Sequence, residues 1–246
     1  MIHLAGLAHA RGARAADHFR VNAEGTRRLA QQAAAAGVRR LVFASSVKVH
    51  GEETPPGGAW TEESPCAPQG GYACSKWAAE QALLEVAARD GLEVAALRLP
   101  LLYGPGVRAN LERLLRAVAA GRPLPFGALR NRRSLLAAAN AADALLLAAR
   151  HPAAAGRVFF ARDAEYSTPE LVRAIARALD VPAKLWKIPP ALLALLPLRR
   201  LTSSLVVDDR ALRATLGWTP PHAPEHEWAR TAAAFRGLPA SPPLAP

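Results

Sequence analysis

The first hundred residues alternate short apolar runs with helical stretches, and each helix is closed by a glycine. Ile2 to Ala5 reads as a short buried strand, and Val21 to Ala36 as a helix by its Ala and Leu content, stopped at Gly37. Val38 to Ala44 is a second strand, followed by a Gly- and Pro-rich loop from Gly51 to Gly71. Tyr72 opens a helix to Arg89, closed by Gly91, and Leu92 to Leu99 is a third strand. A β-α-β-α-β rhythm has few solutions: an α/β fold with a doubly wound parallel sheet and helices on its faces. In such sheets ligands collect outside the carboxyl ends of the strands, where Ser46 and Pro100-Leu101 fall.

After Leu102 the pattern changes. A helix is expected from Ala109 to Ala120, a small strand over Leu124-Pro125-Phe126-Gly127 and a helix from Asn140 to Arg150. Val158 to Ala161 reads as a strand, and Ser167-Thr168-Pro169-Glu170 as a capping signal for a helix to Leu179. Asp208 opens a further helix closed by Gly217, and the proline-rich tail from Gly237 is expected to be disordered. The most apolar stretch, Ile188 to Leu198, is too short and too broken by prolines to span a bilayer, so it reads as a core helix. No secretory signal precedes it. Two cysteines, Cys66 and Cys74, offer neither a disulfide framework nor metal spacing, as in a cytoplasmic protein. His3 and His9 lack ligand-spaced partners and read as a strand and a loop residue. The net charge of +11 comes mostly from scattered arginines; a nucleic-acid binder would gather them on one element. Anionic small ligands suit the charge.

The chemistry concentrates in Tyr72-Ala73-Cys74-Ser75-Lys76, together with Ser46. Tyr and Lys four apart share a helix face. A phenol ordinarily titrates near 10, and an adjacent ammonium is expected to favour the phenolate and bring it towards neutral pH. Ser46, where an apolar strand gives way to a loop, can share the proton of a substrate alcohol with Tyr72.

These motifs stand in one order with Met1-Ile2-His3-Leu4-Ala5-Gly6, Asn22-Ala23-Glu24-Gly25-Thr26, Pro68-Gln69-Gly70-Gly71, Leu97-Arg98, Tyr103-Gly104-Pro105-Gly106 and Leu216-Gly217-Trp218-Thr219-Pro220. Together they resemble the extended short-chain dehydrogenase/reductase family, and within it the NAD-dependent epimerase/dehydratases of sugar nucleotides. The resemblance runs to about Thr231. It implies a Rossmann-like core over residues 1–107, a substrate-binding lobe with interleaved last sheet elements over 108–236, and a tail over 237–246. It implies NAD as cofactor, with NADP left open, a nucleotide-sugar substrate, no membrane or nucleic-acid partner, and a homodimer as one assembly.

By the same resemblance Tyr72 is the acid/base, Lys76 holds the nicotinamide ribose and Ser46 binds the reacting hydroxyl. Leu4, Ala5 and Gly6 pass under the cofactor, Pro100 lines the nicotinamide, and Asn110 and Arg133 meet the substrate diphosphate. Arg133 is weighed evenly against a solvated residue of a basic run, Asn22 evenly between a helix contact and a cofactor neighbour, and Asp143 is taken as structural. The implied reaction is nucleotide-sugar 4-epimerisation. Alternatives are an NAD(P)-dependent reductase or dehydrogenase of another alcohol, favoured by Leu101 where an epimerase often has Asn, and a non-catalytic relative. Val47-Lys48 after Ser46, in place of an Asp-Glu pair, argues against a 4,6-dehydratase. Lys48 and His50 also depart from the pattern. No strand, G-x-x-G-x-x-G-type loop and helix stands in the sequence. Met1 to Gly6 matches the family's fourth strand, so the expected sheet is N-terminally truncated, as a fragment or as a shortened relative.

Overall fold

The computed structural model describes residues 1–8, 12–193 and 199–237. His9 and the tail beyond Gly237 lie outside the described residues. In chain order the elements are β1 (Ile2–His3), α1 (Ala15–His18), a π-helical turn (Phe19–Glu24), α2 (Gly25–Ala35), β2 (Arg40–Ser46), α3 (Gly70–Asp90), β3 (Glu93–Leu99), β4 (Leu101–Tyr103), α4 (Ala109–Ala119), β5 (Arg133–Ala137), α5 (Ala138–Arg150), β6 (Val158–Phe160) and β7 (Ala164–Tyr166). They continue with α6 (Thr168–Ala178), α7 (Pro190–Leu193), α8 (Arg199–Thr202), α9 (Arg210–Leu216) and α10 (Pro224–Phe235).

The chain divides into two compact units. The first comprises Met1–Pro100, Ala141–Ala161 and Val207–Thr219. It holds an all-parallel sheet in the order β1-β2-β3-β6, as the alternating rhythm requires. Leu41 and Phe43 of β2 and Val94 and Ala96 of β3 pack on Ala79, Leu83 and Val86 of α3 and Ala30 of α2. The register sets Ser45 beside Arg98 and Ser46 beside Leu99, so β2 and β3 end together. At the start of α3, a β-carbon on Gly71 would lie 3.0 Å from Ala15 Cα, so only glycine lets α1 approach this closely.

The second unit, Leu101–Asn140, Arg162–Val206 and Pro220–Pro246, carries a mixed sheet in the order β4-β5-β7. Its core joins Tyr103, Leu111, Leu115, Leu135, Ile175 and Trp228. The capping signal at Ser167 is realised: Glu170 N donates to Ser167 Oγ at 3.3 Å and Ser167 N to Glu170 Oε2 at 2.7 Å.

Several expectations need correction. The helix read from Val21 begins at Ala15 and passes through the π-helical turn before α2, because Ala15-Ala16 extend the helical surface upstream. Leu124 and Phe126 form isolated bridges to Leu185 and Lys187, not a strand. Of the core helix expected within Ile188–Leu198, the described residues form α7, begun at Pro190, and residues 194–198 lie outside the described ones.

Candidate active site

Ser46 is the last residue of β2, and the chain then turns through a 3-10 turn, Val47–Val49. Ser46 Oγ accepts from Lys48 N at 3.3 Å, which fixes the strand end. Tyr72 stands in the first turn of α3, with its phenol close enough to Ser46 for the serine side chain to favour the phenolate. Lys76 is 5% exposed, with Nζ 3.9 Å above the ring of Phe43. The other face of this cluster is His3, stacked on Phe43 and bonded through Nε2 to Thr26 Oγ1 at 2.8 Å.

The electrostatics differ from the sequence expectation at one point. Burial pushes the Tyr72 phenol above its ordinary value, and the Ser46 side chain is what opposes it. Desolvating a phenolate outweighs any help from the ammonium on the next turn. Burial also draws Lys76 down to about 8, against the opposing charge of Glu80.

Asn22 ties the segment after β1 to the helix that carries Tyr72 and Lys76. It is 1% exposed; its Oδ1 accepts from Leu7 N at 2.6 Å, and its Nδ2 donates to Leu7 O at 3.1 Å and Ser75 Oγ at 2.9 Å. The π-helical turn sets this side chain, a placement that residue spacing alone does not reveal. His18 Nδ1 bonds Leu7 O at 3.0 Å, and its ring meets Tyr72 edge-on.

A model of the NAD dependent epimerase/dehydratase family matches residues 1–160. The chain belongs to that family. It is 38% identical over 251 aligned residues to UDP-glucose 4-epimerase of Vibrio cholerae, covering 96% of this chain and 76% of the relative. MoeE5, solved in complex with UDP-glucose and NAD, superposes with a TM-score of 0.77 at 28% identity, covering 96% of this chain and 78% of that one. The UDP-glucose 4-epimerase of Thermus thermophilus, solved with NAD, gives 0.77 at 24% identity over 96% and 77%, which supports the fold.

The epimerase/dehydratase family uses NAD, and the residues present fit part of that cofactor. A β-carbon on Gly6 would come 3.2 Å from Asn22 Oδ1 and 4.0 Å from Lys76 Nζ, so glycine lets this backbone pass close to the Asn22 amide and the ammonium. Leu4 is 65% exposed and Ala5 and Gly6 are also exposed, as a segment lying under a ligand requires. Pro100 is buried directly after Leu99, the β3 partner of Ser46.

Asn110 and Arg133 lie on the second unit, each engaged locally. Asn110 Oδ1 accepts from Arg113 at 3.5 Å; Arg133 Nη1 donates to Ser203 O at 3.1 Å and Ser203 Oγ at 3.3 Å. Asp143 accepts from Trp218 Nε1 at 2.8 Å, a structural bond. Lys48 pairs with Glu52 at 2.9 Å. Among the described residues, His222, His226 and Glu227 form a cluster of metal-type ligands. Glu227, however, already holds Arg230 at 3.0 Å, in a helix first turn whose dipole disfavours a cation. No helix among the described residues is long and apolar enough to cross a membrane.

Proposed function

We propose that this chain is a nucleotide-sugar 4-epimerase of the UDP-glucose 4-epimerase type, with Tyr72 as acid/base. The observation that carries the reading is the nearness of the Ser46 side chain to the Tyr72 phenol at the carboxyl end of β2, with the buried ammonium of Lys76 one turn along. Ser46 orients the sugar C4 hydroxyl, and Tyr72 takes its proton and later returns it. Lys76 supplies the positive charge that favours the phenolate and a donor for the cofactor ribose. NAD, when bound, supplies the acceptor and return source of the C4 hydride. The exposed backbone of Leu4, Ala5 and Gly6 would run beneath it, and Pro100 would shield its ring from water. Asn110 and Arg133 are assigned to the diphosphate, since a guanidinium meets phosphate oxygens in a bidentate fork. A cytoplasmic setting belongs to this reading, and the two free cysteines suit it.

The test is incubation of the protein with UDP-galactose and NAD. The reading expects UDP-glucose to form without net change in nicotinamide absorbance. Stoichiometric accumulation of reduced nicotinamide would make the protein a dehydrogenase, and absence of any interconversion would overturn the assignment.

A further inference from the structure

Next to the Ser46-Tyr72-Lys76 trio lies a buried charge pair that this chemistry leaves unused. Glu80 follows Lys76 by one turn of α3, and Arg98 stands in β3; each is 4% exposed. Arg98 grips the carboxylate with two bonds, Nη2 to Oε2 at 2.7 Å and Nε to Oε1 at 3.2 Å. Ser45 Oγ donates to the same carboxylate. The third arm of the guanidinium, Nη1, donates to His50 Nε2 at 2.8 Å. His50 is therefore neutral with its proton on Nδ1, which donates to Pro65 O at 3.1 Å. Burial, and then the charge of Arg98, lower its pKa in agreement. The network thus joins α3, the ends of β2 and β3 and the loop after Ser46.

Stability does not explain such a pair, because well-packed apolar residues often replace a buried ion pair at no loss. Two things an apolar pair could not do are visible. The carboxylate fastens Ser45, whose neighbour Ser46 carries the hydroxyl that favours the Tyr72 phenolate. It also brings a negative charge within one turn of a buried ammonium. The other groups near that ammonium are uncharged: His3 from β1, whose charged form burial disfavours, and the Tyr72 phenol on its own helix face.

We propose that Glu80 is a positioning residue for the trio: its carboxylate, clamped by Arg98, fixes the Ser45-Ser46 strand end against α3 and balances the ammonium of Lys76. This rests on the trio being the active site of the proposed epimerase. The chain has only four lysines, Lys48, Lys76, Lys184 and Lys187, so NMR of the 13C-methylated protein gives a resolvable set, with Lys76 assigned by Lys76→Arg. In Glu80→Gln the Lys76 signal titrates lower than in the parent by about half a pH unit or more. In the pair replacement Glu80→Leu/Arg98→Met, the melting temperature falls because Ser45 Oγ and His50 Nε2 lose their partners, the protein stays folded at assay temperature, Lys76 still titrates low, and epimerase turnover falls about 10- to 100-fold. Unchanged Lys76 titration in Glu80→Gln would overturn the proposal, as would full turnover in the pair replacement. The titration needs no turnover, so a parent protein that fails to epimerise sinks the functional reading while Glu80's hold on Lys76 is still measured.

Discussion

Tyr72 and Tyr103 are both phenols withdrawn from water, and the groups that meet their hydroxyls set them apart. Tyr103 is 1% exposed, stacks on Trp228 at 4.4 Å, and donates to Asp163 Oδ1 at 3.2 Å. The same carboxylate accepts from Ala137 N and Asn140 Nδ2, both at 2.6 Å. Burial, then the Asp163 charge, push the Tyr103 phenol far above its ordinary value; a phenolate beside a carboxylate in the core is excluded. Tyr72 is raised by burial too, but its partner is a hydroxyl, which can donate to a phenolate or accept from a phenol. Burial alone makes a tyrosine a core residue. In the proposed epimerase, a partner that serves both protonation states, with a cation one turn away, is what suits Tyr72 to acid/base work.

The contrast can be broken or sharpened by mutation. Lys76→Met should have the largest effect, lowering turnover about 10²- to 10⁴-fold. Its melting temperature should nevertheless rise. Holding Lys76 at about 8, against an ordinary 10.5, costs the folded state about 3 kcal/mol. The lost contact over Phe43 returns only about 1–2 kcal/mol of that. A lower melting temperature would show that the ammonium is not strained. Asp163→Ala should cost about 2–4 kcal/mol by stranding three donors, read as a drop of about 5–15 °C in Tm. Ser46→Ala should lower turnover about 10- to 100-fold while Tm falls by only a few degrees, since the protein bond it removes is the long one from Lys48 N. The cost of the buried ammonium also shows in pH dependence. Because Lys76 is depressed in the folded state, its contribution favours folding fully only above 10.5 and is lost as pH falls through about 8. Denaturant midpoints should therefore gain a rising component between those values, and Lys76→Met should remove it.

Much of this was legible in the chain itself. The parallel core follows from glycine-closed helices between apolar runs, and the strand carboxyl end at Ser46 is where such a sheet gathers ligands; its partnership with Tyr72 is read from the proton-sharing chemistry of the two hydroxyls. Three strands escaped. Leu101–Tyr103 runs on from β3 with only Pro100 between, while Arg133–Ala137 and Ala164–Tyr166 are flanked by charge and alanine, which carry little β signal. The site residues on the second unit were named only through family likeness, and their bonds to Arg113 and Ser203 could not be read from spacing. Nor could the bonds of Asn22, which depend on a π-helical turn, or the direction of the Tyr72 shift, which depends on burial that sequence does not display.

The most direct measurement compares Tyr72→Phe with Tyr103→Phe for UDP-galactose turnover and Tm. The account predicts that Tyr72→Phe loses turnover with an unchanged fold, whereas Tyr103→Phe keeps turnover and loses about 1–3 kcal/mol of stability. Parent-level turnover in Tyr72→Phe would contradict it.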